Sequence, residues 1–263
     1  MSAVILRLAG PLQSWGERSV FNARDTAPFP TRSGLIGMLA AAEGRSRYAT
    51  LDHYAQLELT VRIDRPGSRL TDFHTVGGGR PAALTVPTSE GGRRAADAAT
   101  MVTRRQYLAD AVFTVALAGP DPLLQRLTTA LEQPAWAPYL GRRSCVPDEP
   151  LLLRHTVADP VAELRTAVPL SLARPPATGQ ATVRVGFVWE TAPPGLTTGA
   201  QLYEVTDVPT SFAPDARSYS SRRLWRTDED LPADLYAGRN PVDPQAECKP
   251  TERIINYALR RKT

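Results

Sequence analysis

One stretch of the chain carries side chains suited to gripping a single-stranded polynucleotide. Gln13-Ser14-Trp15 sets an amide, a hydroxyl and an indole in a row, and Arg18, Arg24 and Arg32-Ser33 follow on the way to the first helical segment. An unstacked base is read by a flat surface together with hydrogen bonds from two sides, and this run supplies both. Further along, the pairs Arg93-Arg94 and Arg104-Arg105 stand in a long insertion. A guanidinium presents a planar fork of donors that matches phosphate oxygens and base edges, and it stacks on rings. The other reading of the first run makes Trp15 a core anchor and Gln13 a turn cap.

His74 raises a separate possibility. RNA carries its own nucleophile in the 2′-hydroxyl, so a metal-free ribonuclease could use His74 as general base with Arg104 or Tyr107. A histidine in a long insertion also serves as a simple RNA contact. Other chemistries lack their residues: there is no HExxH and no paired CxxC, and Gly77-Gly78-Gly79 lacks the Lys-Ser/Thr ending of a phosphate-cradling loop. Neither a metal nor a cofactor is expected. Ser33-Gly34-Leu35-Ile36-Gly37 has the GxxG spacing of nucleotide-clamping loops, but its interior residues are apolar, and close helix packing explains the glycines better. A helix starting at Arg32-Ser33-Gly34 would offer backbone amides to a phosphate.

The elements that must position these residues are legible from periodicity. Val4 to Leu8 reads as a buried strand. Leu35, Met38, Leu39 and Ala42 fall on one helical face, with Thr31 or Ser33 as N-cap and Gly44 as a stop. Leu57, Leu59, Val61 and Ile63 alternate with Glu58, Thr60, Arg62 and Asp64, the pattern of a half-buried strand, and Phe113, Val115 and Leu117 repeat it. Asp121-Pro122 opens a second helix lined by Leu123, Leu124, Leu127 and Leu131. Val183-Val185-Phe187-Trp189 can supply the last strand. The order β-α-β-β-α-β is that of an α+β, ferredoxin-like (RRM-like) domain. Between its second and third strands an insertion at about 66–110 far exceeds a hairpin turn, and it reads as a projecting arm that orders on a partner. The expected division is a ferredoxin-like domain over 1–190, carrying that arm, and a small, mostly-β C-terminal region over 191–263. No aromatic RNP signature marks the sheet face, so RNA is expected on loops and arm.

The 263 residues are 42% hydrophobic and 22% charged, with a net charge of +4, an ordinary globular balance. No apolar run approaches a membrane span, and the cytoplasm is the expected location. Two distant cysteines, Cys145 and Cys248, read as reduced thiols. All basic residues except Lys249 and Lys262 are arginine. A GC-rich genome produces the same bias, so it favours nucleic-acid binding only where arginines cluster. The end, Arg260-Arg261-Lys262, reads as a solvated tail.

The run Leu6 to Gly16, then Pro30 to Gly37 and Ala40-Ala41-Ala42, resembles the CasD family. Asp72-Phe73-His74-Thr75, Arg104 to Asp110 and Tyr139 to Cys145 extend the likeness, which covers roughly residues 3 to 225. The resemblance implies a non-catalytic subunit of the type I-E CRISPR Cascade complex that caps the 5′ handle of the crRNA. It also implies a thumb hairpin inserted after the second strand and contacts with the CasC backbone subunit and the large CasA subunit, alongside other Cascade subunits and target DNA. Relatives in the type I-C system cut the repeat with a tyrosine, a lysine and a histidine. This sequence has no lysine before Lys249, which fits the type I-E role. The alternative is a metal-independent endoribonuclease acting on CRISPR repeat RNA. By resemblance and residue type together, the expected RNA contacts are Gln13, Ser14, Trp15, Arg18, Arg24, Arg32, Ser33, His74, Arg104, Arg105, Gln106, Tyr107, Arg142, Arg143 and Ser144.

Overall fold

The chain's computed structural model describes residues 2–17, 19–20, 22–88, 90–193, 195, 199–238 and 249–259. Arg18, Cys248 and the basic end Arg260-Arg261-Lys262 lie outside the described residues. In chain order the elements are β1 (Ala3–Ala9), β2 (Leu12–Gln13), β3 (Ser19–Val20), β4 (Ala23–Arg24), α1 (Arg32–Ala42), β5 (Glu58–Arg65), β6 (Ser68–Val76), β7 (Met101–Ala109) and β8 (Val112–Ala118). Then follow α2 (Asp121–Glu132), β9 (Leu152–Val157), α3 (Pro160–Thr166), β10 (Thr182–Trp189), β11 (Gln201–Ser211), β12 (Ser218–Pro232) and α4 (Pro250–Leu259).

Seven strands form one antiparallel sheet in the order β11-β12-β10-β5-β8-β1-β9. Its centre is set by the apolar runs: β1 and β8 are paired from Ala3↔Ala118 to Ala9↔Val112, and β8 meets β5 on its other side. Successive side chains point to opposite faces. Val4, Leu6, Leu8, Val61, Val115 and Leu117 therefore pack against Leu35, Leu39, Leu124 and Leu127 of α1 and α2. Ile5, Ala116, Val185 and Phe187 face the other way, against Leu164 of α3 and Ile254, Tyr257 and Ala258 of α4. Both faces of the central strands are covered. Neither is open as a platform for stacked bases.

Three expectations are corrected here. The strand that follows α2 is β9, which pairs with β1, whereas β10, expected to be the last strand of the β-α-β-β-α-β order, pairs with β5 on the other side of the sheet. The strand expected to be half-buried is buried on both faces. The segment from Leu164 to Ser171 covers its polar side, and Arg62, with no exposed surface, donates to the carbonyls of Leu164, Val168 and Pro169 and to both Asp64 carboxylate oxygens. Asp64 Oδ2 also accepts from Thr114 and from the Ser171 amide, so no charge is left unpaired. Finally, no break in the sheet marks the boundary expected at residue 190, because β10 pairs β12 along its whole length and β12 pairs β11.

The insertion is a long two-stranded arm, β6 against β7 from Ser68↔Ala109 to Val76↔Met101, with β6 almost wholly exposed. Its root is fixed by geometry. Gly67 has φ +73°, and a Cβ there would lie 2.7 Å from the Ala109 carbonyl oxygen. Asp110, at φ 57°, accepts an ion pair from Arg65 at 2.5 Å. A second sheet grips the arm at that root: β2 pairs antiparallel with β7 through Gln13↔Leu108, and β4 pairs parallel with it through Ala23↔Arg104 and Arg24↔Arg105.

Candidate nucleic-acid interface

Beside the arm root opens a cleft of about 1250 Å³. It is lined by Ser33, Gly34, Gly37, Ala40 and Ala41 of α1, by residues between Trp136 and Val146, and by Phe212, Arg217 and Tyr219. Six arginines line it, Arg24, Arg45, Arg47, Arg142, Arg143 and Arg217, against two carboxylates, Glu17 and Asp25. Trp136 (55% exposed), Tyr139 and Tyr219 offer ring faces among them. Cationic rims with interleaved aromatic surface are what a single strand requires, phosphates on the former and bases on the latter.

A knot of close backbone packing positions these side chains. Ser14 donates its amide to the Leu140 carbonyl at 3.1 Å, and a Cβ on Gly141 (φ +84°) would overlap the Ser14 oxygen at 1.7 Å. No other residue fits there. The Trp15 ring lies so close to α1 that a Cβ on Gly34 would meet it at 2.7 Å. The sequence run from Gln13 to Trp15 is thus locked against both the helix and the 140s loop, and Arg142 and Arg143 emerge from that lock.

The same packing corrects several expected contacts. Trp15 has no exposed surface, and its indole donates to Gln13 Oε1 at 3.0 Å. The Gln13 amide donates to the carbonyls of Leu8 and Ala111 at 3.0 and 2.8 Å. Both side chains are core, leaving nothing for a base. Ser14 borders the cleft but is buried, with its hydroxyl on the Gln106 carbonyl. Arg32 is buried in an ion-pair network: Nη1 meets both oxygens of Glu190 at 2.8 and 2.7 Å, and Nη2 donates to the Tyr54 carbonyl. Arg222 completes it by binding Glu190 and Asp207. Burial works against the Arg222 charge, but the Asp207 and Glu190 carboxylates outweigh it and lift its pKa above the ordinary arginine value.

The phosphate expected at the start of α1 is displaced too. The Arg32 amide donates to Asp207 Oδ2 at 2.7 Å and the Gly34 amide to Thr31 Oγ1 at 3.3 Å. A buried carboxylate already complements that helix terminus and would repel an anion.

Of the remaining expected residues, Arg24, Ser33, Arg142 and Arg143 line the cleft, and Ser144 is exposed beside it. His74, Arg104 and Arg105 lie on the arm, where the Arg104 guanidinium stands 5.5 Å from the Phe73 ring centroid and Arg105 donates to Thr103. Gln106 and the buried Tyr107 sit at its root. His74 is opposite Thr103, four residues along β7 from Tyr107, a span of roughly 13 Å. Tyr107 is buried under the Arg142 guanidinium. Among the described residues no group of three or more His, Cys, Asp or Glu side chains could hold a metal ion, and no helix is long and apolar enough to cross a membrane.

Sequence reasoning did not find Arg45, Arg47, Trp136, Tyr139, Arg217 or Tyr219. Arg45 is held by Glu43 at 3.0 Å, which also accepts from Arg126 at 2.7 Å and from the Tyr54 hydroxyl. Burial favours the protonated acid at Glu43, but these three donors prevail and hold its carboxyl below the usual value.

Residues 3–224 match the family model described as CRISPR-associated protein (Cas_Cas5). The chain belongs to the Cas5 family. It is 39% identical over 166 residues, 58% of this chain and 70% of the relative, to the CRISPR system Cascade subunit CasD of Escherichia coli (strain K12). A chain of a solved CRISPR RNA-guided surveillance complex superposes with TM-score 0.84 at 49% identity, covering 98% of this chain and 99% of its own. A crystal structure of a Cas protein superposes with TM-score 0.60 at 31% identity, covering 89% of this chain and 97% of its own. The Cas5 match ends at residue 224, inside β12, so α4 and the segment before it lie beyond the family's matched region.

Proposed function

We propose that this Cas5 chain is a non-catalytic subunit of a type I-E Cascade surveillance complex that binds and caps the 5′ handle of the crRNA. Strands β9-β1-β8-β5 with α1 and α2 serve as its ferredoxin-like body, and the β6–β7 arm as the thumb. The single observation that carries this reading is the arginine-lined cleft beside the root of a projecting arm, with Arg24 of the cleft paired to Arg105 of the arm. Phosphate contacts along both supply most of the affinity, and the aromatic side chains hold splayed bases. The likeness to a Cascade subunit and to a chain of an RNA-guided complex supports the same assignment. The neighbours in the assembly are the CasC backbone subunit and the large CasA subunit, and guide-directed recognition of foreign DNA is the assembly's task.

Photocrosslinking of guide RNA within the purified assembly tests this. Handle nucleotides are expected to crosslink to the segments around Arg45–Arg47, Trp136–Arg143 and Arg217–Tyr219, and to the arm. Crosslinks confined to other faces of the chain would overturn it. Incubation with labelled repeat RNA in EDTA separates the ribonuclease reading: the RNA is expected to stay intact, whereas cleavage lost in His74→Ala would replace this proposal.

A further inference from the structure

Glycine is the poorest helix former after proline, and α1 carries two of them. Gly34 has a packing reason, the Trp15 ring at 2.7 Å from where its Cβ would stand. Gly37 has none. A Cβ there would meet nothing nearer than Phe212 Cζ at 3.9 Å, an ordinary contact. Alanine would fit and would strengthen the helix, so nothing inside the protein requires the bare backbone.

What the backbone faces is the cleft. Gly37 lines it one turn from both Ser33 and Ala41, all of them small. Trp136, Tyr139, Tyr219, Arg45 and Arg47 line the same cleft. A flat ring pressed against a helix needs a surface without projecting side chains, and its phosphates need cations within a nucleotide's length. Both are present.

We infer that the face of α1 at Gly37 seats one unstacked nucleobase of the bound RNA, with its flanking phosphates on the cleft arginines. This rests on the reading of the cleft as the handle site and adds the residue that makes room for a base. An acidic protein segment would also suit the arginines, but it has no need of a bare helix face among aromatic rings.

The test uses the full chain, Gly37→Ala and Gly37→Leu, and the repeat-derived 5′ segment of the guide RNA, intact or made abasic at one nucleotide at a time. Gly37→Ala is expected to melt at a higher temperature than the parent while binding RNA less tightly. In the parent, one abasic position is expected to weaken binding by about 5- to 150-fold, the usual worth of one base stack. Gly37→Leu should lose a comparable factor on intact RNA and nothing further on that abasic RNA, the signature of two changes acting on one contact.

Parent-like binding by Gly37→Leu would overturn the inference, as would losses that simply add at every abasic position. A lower melting temperature in Gly37→Ala would do so too, by giving the glycine an internal role, and this variant decides the matter if leucine unfolds the chain. Parent protein that fails to bind the intact segment would sink the handle reading itself; binding without a Gly37 effect sinks only the seat.

Discussion

The Arg142 guanidinium lies 4.6 Å from the centroid of the Tyr107 ring and donates through Nη2 to the Arg24 carbonyl at 3.2 Å. A cleft arginine is thereby fastened to the root of the arm and to the loop that grips it. Its Nη1 is buried without a partner among the described residues.

Removing the ring should loosen that fastening. Tyr107→Leu keeps the apolar volume but loses a cation–π contact of about 0.5–2 kcal/mol. We expect a small drop in stability by urea denaturation and a larger drop in RNA affinity. Arg142→Lys keeps the charge without the planar fork and should behave likewise. Affinity unchanged in both variants would show that the pairing is incidental.

On the arm, Arg104→Ala combined with Arg105→Ala should weaken guide-RNA capture and lower the yield of assembled complex. Plotted against the logarithm of salt concentration, the logarithm of affinity should fall less steeply, by about 0.7 per phosphate contact removed. Fluorescence anisotropy at several salt concentrations measures this. Equal slopes in parent and variant would remove the arm from the phosphate path.

Arg62→Met should be the most damaging single change outside the interface. It leaves Asp64 buried beside Thr114 and Ser171 without its hydrogen-bonded cation, which costs about 3–5 kcal/mol when one partner of a buried pair is lost. Adding Asp64→Leu should restore much of the stability. Urea melts of the three proteins decide, and a double variant no better than the single one would contradict the account.

Acid sensitivity follows from Glu43. Its folded pKa is depressed, so its contribution to stability is fully present above the unfolded carboxylate value and is lost as pH falls through the folded one. Glu43→Gln should therefore flatten the acid limb of the stability profile while lowering stability near neutrality. Parallel limbs in the two proteins would mean that the Arg126, Arg45 and Tyr54 contacts do not stabilise the charged form.

Strands β1, β5 and β8 and helices α1 and α2 were legible because they carry their burial in local periodicity, whereas β9 and α3 were not. Arg62 and Asp64 were not, since a polar residue facing a solvated surface and one facing carbonyls a hundred positions away look alike in sequence. The Gln13–Trp15 run failed for a related reason: an amide beside an indole suits a base as well as it suits Leu8, Ala111 and each other. Trp136, Arg217 and Tyr219 come from segments with no periodic signal of their own, and only the folded chain brings them to one cleft. An exposed tryptophan just after the proline that closes α2 was the one local hint.

Because β4 and β7 share a parallel ladder, Arg24 on the lip of the cleft is bonded in register with the strand that runs out along the arm. The two grips are therefore halves of one jaw. On the proposed reading, a sideways displacement of the arm would carry Arg24 with it and change the width of the cleft.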